Sequence, residues 1–575
     1  MYEIYSKPIA VNKRIDRNFR PNDIGALSAA TVVEISRLGT LDMELRRMKW
    51  KLTSAVLLLA ACTDPVQTVR PPLRANASMS SGESATPYVI VFSQTSGIPK
   101  GARFEIEAAG GTVVSQIPEL GAIAATSNNP EFAADIASLP SVKAISEDRP
   151  VQMIPRGEGA DAAFAAVDAA ETGGPTEPTG SDPQPGTDPL YSQQWDKMRM
   201  NASATGSYAV QRGRRDVVVG IIDTGVEILP VAHPDIAPNL DVARSRSFNN
   251  PIYGVGGDPN PASWDDKFGH GSWCASAVAA PINAIGISGV APNVTLVALK
   301  ALGDNGTGTY LALAQALVYA GVNHFDVVSM SLGGYVPHAG GEGVINLVQR
   351  AVDFARTNGV TPLAALSNEN WDVSDGSFFR SFVVVPAELP GVIGVSATTY
   401  WNRKAFYSNY GTGKADVSAP GGGSTSFEPM PQPYIGNGRI IGAWSAEGLA
   451  NVGSIFFTQQ CTPGAGGTCG WYAWVRGTSM ATPNAAGVAA LIVSQYGDFD
   501  GSSGRKPHMS PTRVETILQQ TANNQACVDN SEAIYVNSAP PPLGFDYRAY
   551  CKGTAGGYTN FFGKGIVDAL KAVTQ

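Results

Sequence analysis

From residue 190 onward the chain alternates between two kinds of apolar pattern. Short unbroken runs occur at 216–222, 294–299, 326–330, 362–366 and 392–395. Stretches of helical period lie among them, at 271–280, 309–322 and 344–357. An unbroken run suits a parallel strand buried on both faces. Strands alternating with helices predict a doubly wound, mainly parallel α/β sheet. In such sheets, sites form beyond the carboxyl ends of the strands. A later run at 485–493 reads as a buried helix. Pro483 just before it suits a first helical turn, where a missing N–H costs little.

A smaller unit precedes this one. Residues 88–92 read as a strand and 99–109 as a helix, with Phe104, Ile106, Ala108 and Ala109 on its apolar face. A hairpin at 112–126, broken by 118–121, is followed by a second helix at 130–139 and a last strand at 142–146. This β-α-β-β-α-β order predicts a small ferredoxin-like α+β domain over 87–152. Residues 153–189 carry Ala, Gly, Pro, Thr and acids but few large apolar groups, so they read as a linker open to cleavage.

The chain has 575 residues, 43% of them apolar, enough to bury more than one core. A net charge of −8 without a basic block argues against nucleic-acid binding. One apolar run belongs to neither unit. Residues 52–61 follow Arg46, Arg47, Lys49 and Lys51 and end in Leu59-Ala60-Ala61-Cys62. A basic region before a short apolar one is an export signal, too short for a mature membrane span. The stretch 48–62 resembles a bacterial lipoprotein signal, in which Cys62 is lipidated and tethers the protein to a membrane. The competing reading is an ordinary secretory peptide. By the same resemblance, Thr63 after the cysteine favours the outer membrane. Residues 63–86 then form a polar tether. Residues 1–47 precede the signal and are not expected in the mature protein; Met43 or Met48 would start it well.

Five cysteines remain. Cys461, Cys469, Cys527 and Cys551 lie in loop-like contexts, and four cysteines allow three pairings. Neighbour pairing is the expectation, in keeping with export. Cys274 is then the odd one and reads as a small buried hydrophobe.

Four polar groups sit where strands end or helices start. Asp223-Thr224-Gly225 follows the run at 216–222. His270-Gly271-Ser272 opens a helix of small residues. Ser367-Asn368-Glu369-Asn370 follows the run at 362–366. Gly477-Thr478-Ser479-Met480-Ala481 precedes the last helix. Taken singly, each is a cap or a turn as readily as a site. Together, in the order Asp, His, Asn, Ser, they resemble the subtilisin-like serine proteases (subtilases). Ser331-Leu332-Gly333-Gly334 and His233-Pro234-Asp235 add to the likeness, which covers 190–575. The unit at 87–152 resembles the family's inhibitory propeptide.

That resemblance implies an exported endopeptidase made as a zymogen. Ser479 would be the nucleophile, His270 the general base, Asp223 its partner, and Asn368 an oxyanion donor. A peptide substrate would pair with Ser331, Leu332 and Gly333 as an added strand. Gly334, Ala364 and Ala365 would border the specificity pocket with it. The propeptide would inhibit by the same mode. No cofactor is needed for the chemistry and no metal ligand set is expected there. Structural calcium is possible by resemblance, with Asp498 and Asp500 the acidic candidates, though they lack a full ligand pattern. Departures from the family are Ser272 for threonine, Trp273 for a common histidine, Ser367 for a common glycine, and Asn484 for a histidine. A long Gly/Pro/aromatic-rich insertion at 422–475 also departs; a loop of that length is rarely idle. The reading from another class is an inactive surface lipoprotein that uses the fold for binding. The related sedolisin class uses a glutamate in place of the histidine, against which His270 in its own box argues.

Overall fold

The computed structural model describes residues 85–153, 188–249, 260–376, 381–500, 508–527 and 549–575, with short gaps at 426, 432–433, 452–455, 463, 465 and 554–556, and the backbone of 532–533. The export signal, Cys62, nearly all of the tether and nearly all of 153–189 lie outside the described residues. No helix among those described is long and apolar enough to cross a membrane.

The first unit runs β1 (Thr86–Phe92), α1 (Ala102–Ala108), β2 (Gly111–Ile117), β3 (Ala122–Ser127), α2 (Phe132–Ala137) and β4 (Val142–Glu147). The strands form one antiparallel sheet in the order β2-β3-β1-β4. Strand β1 shows why its sequence is apolar at every position from Val89 to Phe92. Ile90 and Phe92 face the unit's own helices, with Ile106, Phe132 and Ile136. Val89 and Val91 face the other way, into a core shared with the larger unit. One expectation is corrected. Phe104 is 75% exposed. The helix begins at Ala102, after Gly101 turns at φ 84°, and in seven residues it buries only Ala102 and Ile106.

The larger unit is built on a seven-stranded parallel sheet. At its centre β6 (Val218–Asp223) lies beside a later strand, β10 (Val327–Met330). From β6 the chain first builds outward through β8 (Thr295–Lys300), with the short β7 (Arg246–Ser247) beyond it. It then crosses over to build β10, β12 (Thr361–Ala365), β14 (Ile393–Thr398) and β15 (Val417–Pro420) on the other side. The strand order therefore reverses between β6 and β10, and a crevice at such a switch point is where α/β sheets hold ligands.

Period-2 alternation sorts the side chains of β6 between two cores. Val219 and Ile221 face α3 (His270–Ala279) and α6 (Thr478–Tyr496). Val218 and Ile222 face α4 (Tyr310–Val322) and α5 (Glu342–Thr357). The first unit docks on α4 and α5. There Arg350 donates to the carbonyls of Phe92 (2.7 Å), Gln94 (3.0 Å) and Leu120 (2.7 Å). Val344 N–H donates to Ser146 Oγ at 2.9 Å, and Tyr310 N–H, at the start of α4, to Asp148 at 3.1 Å.

The insertion forms an antiparallel sheet, β16 (Ile440–Trp444), β18 (Cys469–Val475) and β17 (Phe457–Cys461), in that spatial order. Disulfides join Cys461 to Cys469 and Cys527 to Cys551, and Cys274 is a free, buried thiol.

Candidate active site

Asp223 ends β6 with its side chain fully buried. Its Oδ1 accepts from Thr224 N–H at 2.7 Å and meets His270 Nδ1 at 2.7 Å. A carboxylate in this place fixes the ring and selects the tautomer protonated on Nδ1. Close backbone approach makes the pairing possible. A Cβ on Gly271 would lie 2.2 Å from the carbonyl oxygen of Gly225.

The start of α3 is held by a residue that motif matching overlooks. Asp266 accepts from Thr224 Oγ1 (2.9 Å), Phe268 N–H (3.0 Å), Gly269 N–H (2.9 Å), Ser272 N–H (2.8 Å) and Ser272 Oγ (2.7 Å). It satisfies the first-turn donors of the histidine helix and ties them to the aspartate loop. Ser272 therefore keeps the hydroxyl that the motif needs. The one sequence signal for Asp266 is an acid four residues before the histidine.

Ser479 is the second residue of α6. The helix starts seven residues before the predicted run, so Pro483 lies inside it and not in its first turn. That position has a consequence. Proline has no N–H for the carbonyl four residues back, which is that of Ser479. Ser331 Oγ donates to this carbonyl at 2.7 Å, and Ser479 Oγ donates to the Ser331 carbonyl at 3.2 Å. Cys274 Sγ lies 3.7 Å from the same Ser479 oxygen and 3.9 Å from His270 Nδ1. Burial, then the charge of Asp223, pushes its pKa well up, so it stays a thiol.

Asn368 follows β12. Its Oδ1 accepts from Thr478 N–H (2.9 Å) and Thr478 Oγ1 (3.0 Å). These donors fix the amide's orientation and leave Nδ2 as the donor. Ala364 and Ala365 end β12, fully buried.

Beyond Ser331 runs β11 (Leu332–Pro337), paired antiparallel on one side with β13 (Phe382–Val385). On its other side lies β5 (Pro150–Met153), the tail of the first unit. Met153 pairs with Leu332 and Gln152 with Gly333. Strand β5 pairs in turn with β9 (Thr307–Thr309). A segment of the chain's own backbone thus fills the groove between β9 and β11.

Among the described residues, one cluster has three donor groups close enough for a metal: Asp223, His270 and Cys274. There the imidazole and the carboxylate already bond to each other. Asp498 and Asp500 join no such cluster, and Asp500 is exposed. Two other carboxylates are buried together. Asp188 accepts from Asn283 N–H, Ala284 N–H and Ser288 Oγ. Asp235 accepts from Ile287 N–H and Tyr472 Oη on Oδ2, while its buried Oδ1 has no hydrogen bond. Burial first, and for Asp235 the charge of Asp188, raises both pKa values.

This arrangement of an Asp–His pair, a serine in the first turn of a helix and a pinned asparagine matches what sequence comparison finds. The model of the subtilase family matches residues 214–546. Subtilisin DY of Bacillus licheniformis is 32% identical over 309 residues, 54% of this chain and 84% of its own length. The alkaline protease of Alkalihalobacillus alcalophilus is 31% identical over 308 residues, but the match spans 59% of its length. Among solved structures, the epidermin leader peptide processing serine protease of Staphylococcus aureus shares the fold at a TM-score of 0.60 and 19% identity, covering 85% of this chain and 98% of that one. The chain belongs to the subtilase family. It is a serine endopeptidase of the subtilisin-like type, with the doubly wound fold that its apolar pattern predicts.

Proposed function

We propose that Ser479, His270 and Asp223 form the catalytic triad, with Asn368 as oxyanion donor, and that residues 87–152 are an inhibitory propeptide. The observation that carries this reading is the strand Pro150–Met153 paired to Leu332 and Gly333 beside Ser331, whose backbone meets Ser479. An extended chain in that groove is presented as a substrate would be.

In this mechanism the Ser479 hydroxyl leaves the Ser331 carbonyl and turns to His270 Nε2. The imidazole takes the proton as Oγ attacks the scissile carbonyl. Asp223, bonded to Nδ1, stabilises the imidazolium. Asn368 Nδ2 and the Ser479 N–H, one of the unpaired donors at a helix start, receive the oxyanion. The imidazolium then protonates the leaving amine, and water, activated by the same base, hydrolyses the acyl-enzyme. Ser331, Leu332 and Gly333 hold the substrate backbone. Gly334, Ala364 and Ala365 border the pocket for the residue before the cut.

The export signal supports secretion, with Cys62 as a lipid anchor at the cell envelope. The two disulfides suit an oxidising compartment. Cleavage within 153–189 would free the catalytic unit from that anchor. Protein and peptide substrates, and the propeptide itself, are the partners. For structural calcium, Asp188 and Asp235 are better placed than Asp498 and Asp500: a hard cation would satisfy Asp235 Oδ1 and relieve the repulsion between them. Chelation should then lower the melting temperature.

The test is hydrolysis of a fluorogenic peptide after propeptide removal. Wild type should cleave it and be labelled by a serine-directed phosphonate. Ser479→Ala should lose both, by about 10⁶-fold in rate, the magnitude that loss of the nucleophile has in subtilisin itself. An unlabelled, inactive wild type would return the chain to the binding-module reading.

A further inference from the structure

The loop 367–371 that carries Asn368 is held in an unusual shape. Ser367 has φ +89°, in the left-handed region that a β-carbon disfavours, and Asn370 has φ +59°. Strain of this kind persists only where the surroundings over-determine it. Here they do so through Asn409, a fully buried residue 39 positions from Asn370 in sequence and in contact with nearly the whole loop. Asn409 N–H donates to the Ser367 carbonyl at 3.0 Å. Its Oδ1 accepts from Glu369 N–H (3.1 Å) and Trp371 N–H (2.9 Å). Its Nδ2 donates to Glu369 Oε2 (3.0 Å) and Tyr335 Oη (2.7 Å).

Glu369 closes the network from the other side. Its Oε2 also accepts from Tyr335 Oη and, at 3.0 Å, from Asn368 N–H; its Oε1 accepts from Ser367 Oγ at 3.3 Å. The backbone of Asn368 is thereby fixed by Glu369 while its side-chain oxygen is fixed by Thr478. Tyr335 lies on β11, the strand that the substrate pairs with, so the cluster also joins the oxyanion loop to the substrate strand.

We infer that Asn409 and Glu369, with Tyr335, are positioning residues for the oxyanion amide: they impose the left-handed turn at Ser367 and so aim Asn368 Nδ2 at the reacting carbonyl. The inference rests on Asn368 being the oxyanion donor. None of the three touches the reacting atoms. Their effect is on transition-state binding, since the ground-state carbonyl gains less from the amide than the oxyanion does.

The experiment is steady-state kinetics on one fluorogenic peptide for Asn368→Ala, Asn409→Ala, Glu369→Gln and the double variant of Asn368 and Asn409. Loss of the donor should lower kcat by about 10²–10³, as loss of the corresponding donor does in subtilisin. Asn409→Ala should lower kcat by roughly tenfold or more with KM held within about twofold, and Glu369→Gln by a smaller factor in the same sense. The double variant should be no slower than Asn368→Ala alone, because both changes remove one interaction. Factors that multiply in the double variant would overturn the inference, as would an unchanged kcat for Glu369→Gln, which preserves shape if Asn409→Ala does not fold. An unchanged kcat for Asn368→Ala would instead overturn the oxyanion reading beneath it.

Discussion

The two walls of the active site are built from different materials. The helix that carries His270 has its start tied down by Asp266, but along its length it is held by apolar packing against the insertion. A Cβ on Gly269 would lie 2.2 Å from the Trp444 ring, and one on Gly442 would lie 2.4 Å from Trp273 Nε1. Trp273 is fully buried, and its Nε1 donates to the Ala473 carbonyl at 3.2 Å. The loop that carries Asn368 is held by hydrogen bonds from Asn409 and Glu369. In each case part of the support comes from a segment distant in sequence, the insertion for the first wall and Asn409 for the second. Packing is forgiving in direction but sensitive to volume. Hydrogen bonds set direction, and leave polar groups stranded when cut. The first wall should therefore fail as stability, the second as rate.

The largest effect should come from the apolar wall. Trp444→Ala or Trp273→Ala should destabilise the folded protein by about 3–5 kcal/mol, the range for large aromatic truncations in cores. Denaturant melts of the inactive Ser479→Ala chain would measure this without self-cleavage. Unchanged stability with a fallen kcat would break the comparison. Next is a titratable contact in that wall. Glu227 Oε1 accepts from Ala446 N–H at 2.7 Å, and burial raises its pKa to about 7. The folded state thus keeps this proton at a pH where the unfolded chain has lost it. Its contribution to stability is highest below the unfolded pKa and declines as pH rises from about 4.5 to 7, by up to about 3 kcal/mol. Glu227→Gln should make that part of the profile shallower, the remaining slope coming from Asp148 and Asp416, whose pKa values burial raises to about 7 and about 6; an unchanged slope would mean that Glu227 does not contribute to it.

The difference between the walls also explains what the sequence makes legible. Unbroken runs such as 217–222 read directly as buried strands, because burial on both faces leaves no polar positions. The four motif residues are legible because their chemistry requires fixed side chains at strand ends and helix starts. Their supports are not. Asp266 and Asn409 act through backbone donors whose places depend on tertiary structure, and an isolated Asp or Asn reads equally well as a turn residue. Pro483 reads as a first-turn residue only while the helix is started at its apolar run. Residues 478–484 are buried although three of them are hydroxyl or amide residues following Thr478, so periodicity cannot show that the helix has begun. The exposed Phe104 is the opposite error, an apolar residue read as core because the short helix has a narrower buried face than its composition suggests.

Two smaller effects separate the walls further. The Cys461–Cys469 bridge closes the hairpin at β17 and β18, across eight positions of sequence. Replacing both cysteines by serine should cost about 2 kcal/mol, since short loops gain little from closure. The loss should show in melts and leave kcat of the folded fraction nearly unchanged, as expected for a staple on the packed wall. The smallest effect should have the opposite sign. Ser367→Gly removes the Cβ from a residue at φ +89°. It should relieve up to about 1 kcal/mol of backbone strain, less what is lost with the weak 3.3 Å bond to Glu369. A melting temperature raised by about one degree would place stored strain in the hydrogen-bonded wall. A lowered one would mean that the serine hydroxyl contributes more than its conformation costs, and that the two walls differ less than their geometry indicates.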